Sequence, residues 1–118
     1  MIKRSEIFGY AKEKYNAKPH YPFEKYRSYA VLRHSNDDKW FGLVMTVPRE
    51  KLGLKGGGEV DVLDIKCHPA NVNDLKTKPG FRPAYHMNKE HWLTAVLDGS
   101  VSKEEIFSLL DESYDLTK

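Results

Sequence analysis

The sequence lacks several features that would assign it to a specialised class of protein. It has one cysteine, Cys67, which excludes an intramolecular disulfide and makes a reducing cytoplasm the expected location. Its longest apolar run, residues 40–47, is broken by Gly42 and Thr46 and is far shorter than the roughly 20 residues of a membrane span. No apolar segment follows the basic residues near Met1, so no secretory signal is expected. These absences predict a cytoplasmic protein that does not enter the membrane.

The composition is that of one globular domain. A chain of 118 residues buries about two-thirds of the surface that its unfolded form exposes, and 40% hydrophobic residues can fill such a core. The 31% of charged residues is typical of neither a membrane protein nor a disordered one. No repeat or long linker divides the chain. We therefore expect residues 1–118 to form a single domain, with a monomer favoured.

The net charge of +2 is unevenly distributed along the chain. Residues 1–27 carry a local charge of +4, residues 76–91 carry +3 and residues 98–118 carry −4. Such asymmetry can mark one face for a polyanion, but an ordinary mixed surface also looks uneven when it is read along the chain. The acids near the C-terminus, Asp111, Glu112 and Asp115, are expected to form the solvated face of a last helix.

Apolar spacing predicts the elements of the first half of the chain. Residues 3–16 have the helical period. Alternating side chains indicate three strands, at residues 29–34, 39–47 and 59–67, of which the first two are joined by a polar turn. A short helical turn is expected within residues 48–55, and a flexible glycine connection follows it.

The second half of the chain reads as helix, strand and helix. Pro69 opens a short helix, because the missing N–H of proline is not needed at a first helical position. Residues 81–91 have no clear period, and residues 92–97 alternate as a strand. Ser102 and Glu105 form a capping box that begins the last helix. The order α-β-β-β-α-β-α predicts an α+β fold, with an antiparallel sheet of about four strands and helices packed on one side.

Several motifs together resemble the MmcQ/YjbR family. They are Lys39-Trp40-Phe41, Ile65-Lys66-Cys67-His68-Pro69, the run from Pro83 to Trp92, Leu97-Asp98-Gly99 and Ser113-Tyr114. The resemblance covers nearly the whole chain. Ala84 stands where the family usually has glycine, so no positive backbone angle is expected there. The resemblance implies a double-wing arrangement, in which β-hairpins are proposed to grip DNA, and it brings no catalytic residues.

The first functional hypothesis is a non-enzymatic nucleic-acid-binding domain with DNA as its partner. Cations neutralise phosphates, and neighbouring rings can stack on bases. Arg33 and Lys39 flank the tip of the first hairpin, which would serve as a wing. The other candidate phosphate contacts are Lys76, Lys78, Arg82 and Lys89.

The second hypothesis is a protein-interaction or small-ligand module built on residues 85–92. Its candidate residues are Tyr85, His86, Met87, Asn88, His91 and Trp92. The same residues also admit an architectural role, in which a histidine and Asn88 bond loop carbonyls while the large aromatic side chains pack in the core.

The sequence offers little support for catalysis. His86 and His91 are five residues apart, a spacing that aligns two side chains on neither a helix nor a strand, so no metal site is expected. Cys67 is either a nucleophile with a histidine base or, more simply, a buried small hydrophobe. The glycines at 56–58 lack the following lysine and hydroxyl residue of a phosphate loop. No enzyme activity and no cofactor are therefore expected.

Overall fold

A five-stranded sheet organises the chain in the computed structural model, which describes all 118 residues. The elements in chain order are α1 (Arg4–Tyr15), β1 (Ala30–Arg33), β2 (Trp40–Pro48), a 3-10 turn (Arg49–Leu52), β3 (Glu59–Lys66), α2 (Pro69–Leu75), β4 (Phe81–Pro83), β5 (Trp92–Val96) and α3 (Lys103–Leu116). The strand order is β1-β2-β3-β5-β4, and every neighbouring pair is antiparallel. The predicted α+β fold is confirmed.

The strand β4 is absent from the sequence prediction of about four strands. It lies within residues 81–91, where no period is visible, and three residues are too few to show alternation. Phe81 pairs with Ala95 of β5, which makes β4 an edge strand. Pro83 is tolerated there because an edge position can dispense with a ladder N–H.

Three helices cover one face of the sheet and form the larger core. Its cluster of 19 buried residues includes Ile7 and Ala11 of α1, Val72 of α2 and Ile106 and Leu110 of α3. Ile7 and Ala11 are four residues apart, as are Ile106 and Leu110, so α1 and α3 each turn one apolar stripe toward the sheet. None of the three helices combines the length and the apolar character that crossing a bilayer requires.

Two of the three acids expected on the solvated face of α3 are instead half-buried against other helices. Asp111 accepts hydrogen bonds from Tyr10 and Lys14 of α1, and Glu112 accepts one from Asn71 of α2. The prediction is therefore wrong for these two side chains. The pattern of a single helix cannot show which neighbouring helix lies beside its polar edge.

The opposite face of the sheet, which we term the open face, has no helix over it. A second cluster of nine buried residues lies on this face and is covered by loops: Tyr29, Val31, Leu43, Met45, Val47, Leu52, Val60, Val62 and Val96. Phe23, Trp40, Leu54, Tyr85 and Met87 pack against it and remain partly exposed. Loops cover apolar surface less completely than helices do, so this face keeps a groove.

A β-bulge in β2 brings Trp40 to the open face. Leu32 of β1 pairs with Gly42 and Arg33 pairs with Trp40, so Phe41 is the extra residue. Phe41 is fully buried in the helix-side cluster, whereas Trp40 packs against the open-face cluster. The bulge puts Gly42 and Phe41 on the same, helix-covered side of the sheet, and Trp40 therefore lies on the open face.

Candidate functional site

The largest apolar concavity lies on the open face, and we term it the aromatic groove. Its volume is about 490 Å³, which is within the range of small-ligand sites. The lining residues are Phe23, Tyr26, Tyr29, Trp40, Leu43, His86 and Met87, six of which are hydrophobic. An occupant of this groove would be held mainly by apolar and stacking contacts.

A smaller cavity continues the aromatic groove toward the C-terminus of α3. Its volume is about 310 Å³, and it shares Trp40 and Met87 with the groove. The remaining lining residues are Lys39, Lys66, Trp92, Leu116 and Thr117. The combined surface therefore changes from aromatic at one end to basic at the other.

The wall of the groove is fixed by contacts among Tyr26, Tyr29 and His86. The rings of Tyr26 and Tyr29 are stacked, with centroids 4.7 Å apart. The Tyr29 hydroxyl lies 3.3 Å from Nε2 of His86. His86 has a φ of 68°, in the left-handed region that histidine enters more readily than most residues. This backbone conformation places an exposed imidazole beside buried Tyr29.

Asn88 shapes the irregular segment that carries His86 and Met87. Its Oδ1 accepts hydrogen bonds from the backbone N–H groups of Glu90 and His91, and its carbonyl accepts one from Trp92. The expectation that Asn88 and a histidine bond loop carbonyls is not what the structure shows, because Asn88 accepts through its side-chain oxygen. The His91 side chain is exposed, and its hydrogen bonds are made by its backbone: the N–H donates to Asn88 and the carbonyl accepts from Cys67 N–H.

A polar relay attaches this segment to the sheet. The backbone N–H of Tyr85 donates to Oγ1 of Thr94 over 2.9 Å, and that hydroxyl donates to Oδ1 of Asp64. Ala84, just before the segment, is buried and has no positive φ. This agrees with the prediction from its alanine side chain, which stands where the family usually has glycine. Lys89 closes the loop by donating to the Ala84 carbonyl over 2.9 Å.

Asp64 is a fully buried acid on the open face. Its Oδ2 is the one buried side-chain oxygen or nitrogen that has no hydrogen-bond partner in the protein. Burial raises the pKa of Asp64 to about 7, although the Thr94 hydrogen bond and the nearby charge of Lys89 lower it. No motif in the sequence singles out Asp64. The available signal was an acid two residues after Val62, on the same face of an apolar strand.

Two of the predicted phosphate contacts, Arg82 and Lys89, donate hydrogen bonds to backbone carbonyls of the protein and are therefore not free to contact phosphates. Arg82 donates from Nε to the Leu52 carbonyl over 3.1 Å and from Nη1 to the Phe81 carbonyl over 2.7 Å. It therefore holds the 3-10 turn against the sheet. Lys76 and Lys78 are exposed in the turn that leads into β4, and neither takes part in an ion pair.

The cations of the first hairpin lie at the other edge of the sheet. Arg33 is 3.6 Å from Asp38 and 3.3 Å from Nδ1 of His20, within a mostly polar cavity of about 290 Å³. Lys39 is 3.9 Å from Asp37. Since β1 and β4 are four strand spacings apart, roughly 19 Å, the six predicted cations do not form one surface.

Cys67 is a buried side chain at the end of β3, with 1% of its surface exposed. Burial, followed by the neighbouring Glu112, raises its pKa to about 12, so the thiol is protonated at neutral pH. A protonated thiol is a poor nucleophile. No three or more histidine, cysteine, aspartate or glutamate side chains are grouped as a metal site would require.

The similarity to known proteins extends over the whole chain. A family model described as YjbR matches residues 12–116. The uncharacterised protein YyaQ of Bacillus subtilis is 48% identical over 118 residues, which span all of both chains. The uncharacterised protein YjbR of Escherichia coli is 52% identical over 33 residues, or 28% of each chain.

Solved structures have the same fold. A crystal structure of a Pseudomonas syringae protein matches with a TM-score of 0.96 and 49% identity, covering 99% of this chain and 100% of that one. A Deinococcus radiodurans protein matches with a TM-score of 0.74 and 23% identity, covering 98% of this chain and 78% of that one. The second similarity concerns the fold alone.

Proposed function

The chain belongs to the YjbR family, and we propose that it is a non-enzymatic binding protein that holds a planar aromatic ring in the aromatic groove. The observation that carries this proposal is the convergence of aromatic side chains from three separate segments on one concavity of about 490 Å³. The protonated, buried Cys67 supports a function without covalent catalysis.

The groove offers ring faces on which a flat ligand can stack. Phe23 and Trp40 meet edge to face with centroids 6.0 Å apart, and Tyr26 is 51% exposed. Stacking of a nucleic-acid base on an aromatic side chain contributes about 1–3 kcal/mol. A ring inserted between these walls would also remove apolar surface of the partly exposed Phe23, Trp40 and Met87 from water.

Titration with benzimidazole, followed by amide chemical shifts in NMR spectra, tests this function. We expect the shifts to concentrate on groove residues. Tyr26→Ala should weaken binding roughly tenfold, the equivalent of the loss of one stacking contact. Tyr21→Ala is the matched control, because Tyr21 is 54% exposed and does not line the groove. Equal effects of the two variants, or no shifts at millimolar ligand, would contradict the proposal.

A second candidate function is DNA binding, supported by the basic end of the groove. There Lys39 and Lys66 adjoin Trp40 and Trp92, a combination that suits a single strand with stacked bases and neutralised phosphates. Fluorescence of these two tryptophans should be quenched by single-stranded DNA more than by a duplex of the same sequence. The affinity should fall steeply across a salt series. Absence of quenching at low salt would exclude this candidate.

A further inference from the structure

We infer that Oδ2 of Asp64 is the polar recognition point of the aromatic groove, where it accepts a hydrogen bond from a ring N–H of the occupant. The inference rests on the proposed function and narrows its ligand to planar heteroaromatic rings that carry an N–H donor. Apolar walls with a single buried acceptor are a common design of small-molecule sites, in which few polar groups fix the orientation.

The first support is the hydrogen-bond inventory of Asp64. Oδ1 receives the hydroxyl proton of Thr94, whereas Oδ2 has no partner and the side chain has no exposed surface. Leaving a buried polar atom unpaired costs free energy, and folded proteins contain few such atoms. The Thr94 relay needs one carboxylate oxygen, Oδ1, so the support of the loop does not explain why Oδ2 is left unpaired.

The second support is the position of Asp64 beside the groove. Its cross-strand partner in β2 is Leu43, which lines the groove. Directly opposed side chains in a sheet have Cβ atoms about 4.5–5.5 Å apart. Tyr29, on the groove wall, also lies close enough that the charge of Asp64 helps raise the pKa of the phenol, after burial and the effects of Tyr85 and Tyr26. The carboxyl group therefore lies next to Leu43 at the edge of the groove, although Asp64 is not itself one of the lining residues.

Met87 provides a route to this acceptor. It lines the groove and packs against the open-face cluster above the sheet. An unbranched thioether side chain with three rotatable bonds adjusts readily to a ligand. Because Asp64 is fully buried and does not line the groove, an occupant must displace a covering side chain to reach it. Displacement of Met87 would let the edge of a ring pass Leu43 and bring its N–H to Oδ2.

The charge state of Asp64 determines that the occupant must supply a hydrogen-bond donor. Lys89 is the one cation whose charge acts on Asp64, and it is held on the Ala84 carbonyl. At pH 8, above a pKa of about 7, Asp64 is predominantly ionised and acts only as an acceptor. A ring N–H then donates to Oδ2, the carboxylate oxygen that has no partner in the protein.

Two rings of nearly equal shape test the inference. Benzimidazole has an N–H where benzoxazole has an oxygen, and both keep the second ring nitrogen. At pH 8 we expect wild-type protein to bind benzimidazole roughly tenfold more tightly, as expected for one hydrogen bond to a charged group. Asp64→Asn should remove this preference. Asp61→Asn, on the same strand but bonded to Arg4 and Thr46, should retain it.

The outcomes separate the inference from the function on which it rests. Equal binding of the two rings in the groove, or a preference that survives Asp64→Asn, would overturn the role of Asp64 and leave ring binding intact. Binding of neither ring would overturn the proposed function together with the inference. If Asp64→Asn does not fold, the comparison of the two rings in wild-type protein decides the question.

Discussion

The carboxyl group of Asp64 joins the sheet to the segment that carries His86 and Met87. One of its oxygens holds the Thr94 hydroxyl, which in turn holds the backbone of Tyr85. The position of the loop over the groove thus depends on a side chain that is expensive to ionise where it lies. Protonation of Asp64 and packing of the loop should therefore be coupled.

We expect the free energy of unfolding of Asp64→Asn to increase relative to that of wild type as the pH rises from about 4 to about 7. Burial raises the pKa of Asp64 from 3.8 to about 7, so the folded chain retains a proton that the unfolded chain releases. The wild type consequently loses stability through this interval, by up to about 4 kcal/mol, and the loss is constant above it. Urea unfolding of both proteins at several pH values measures the difference. A difference that does not vary with pH would contradict a raised pKa.

At the scale of elements, the irregular connections position the site as much as the strands do. The segment from Tyr85 to His91 has no regular structure, but Asn88, Lys89 and the Thr94 relay fix its backbone. The turn between α2 and β4 is fixed in another way. There Gly80 has a φ of 88°, and its carbonyl accepts a hydrogen bond from Val96 over 2.7 Å.

Gly80→Ala should destabilise the protein by more than about 2 kcal/mol, because strain and a clash occur together. A Cβ at Gly80 would lie 2.5 Å from the side chain of Val101 and 2.9 Å from that of Ser100. Gly57→Ala is the control, since Gly57 has open space around it and no positive φ. Thermal unfolding of the two variants measures the difference. Similar melting temperatures would show that this turn can relax.

The elements that the sequence predicts are those long enough to display a period. The helices around Ile7 and Ile106 and the strands around Val44 and Val62 are found where the pattern places them. The three-residue strand β4 and the bulge at Phe41 leave no such trace, because each depends on pairing with a neighbouring strand. The predicted capping box is found in one direction, as Ser102 Oγ accepts from Glu105 N–H, whereas the Glu105 side chain makes no return hydrogen bond to Ser102 N–H.

At the scale of the whole molecule, the groove exists because only one face of the sheet is covered by helices. Val31 and Leu32 are both apolar and lie on opposite faces of β1, so the sequence indicates that both faces are buried. It does not show that helices cover one face and loops cover the other. His86 and Met87 were among the predicted groove residues and do line the groove. Tyr26 and Tyr29, which complete the groove, are far from His86 and Met87 in the sequence. The periodicity of a segment carries no information about which distant segment packs beside it.

Sheet order likewise decides which cations can act together. Lys76 and Lys78 approach the β4 edge, whereas Lys39 lies near the β1 edge and shares a cavity with Lys66. Strand order is a property of the folded sheet, so the sequence alone could not show that the predicted cations lie near two different edges. The two pairs are now separate candidates for contact with DNA.

Replacing each pair of lysines separately should show which end of the molecule meets DNA. If a single strand occupies the basic end of the groove, Lys39→Gln with Lys66→Gln weakens binding and reduces the slope of log affinity against log salt by about 1.4, because two phosphate contacts are lost. Lys76→Gln with Lys78→Gln then has little effect on either quantity. The reverse result would place the contact at the β4 edge. Equal losses from both double variants would indicate attraction by net charge without a defined site, which is why the salt slope must be measured together with affinity.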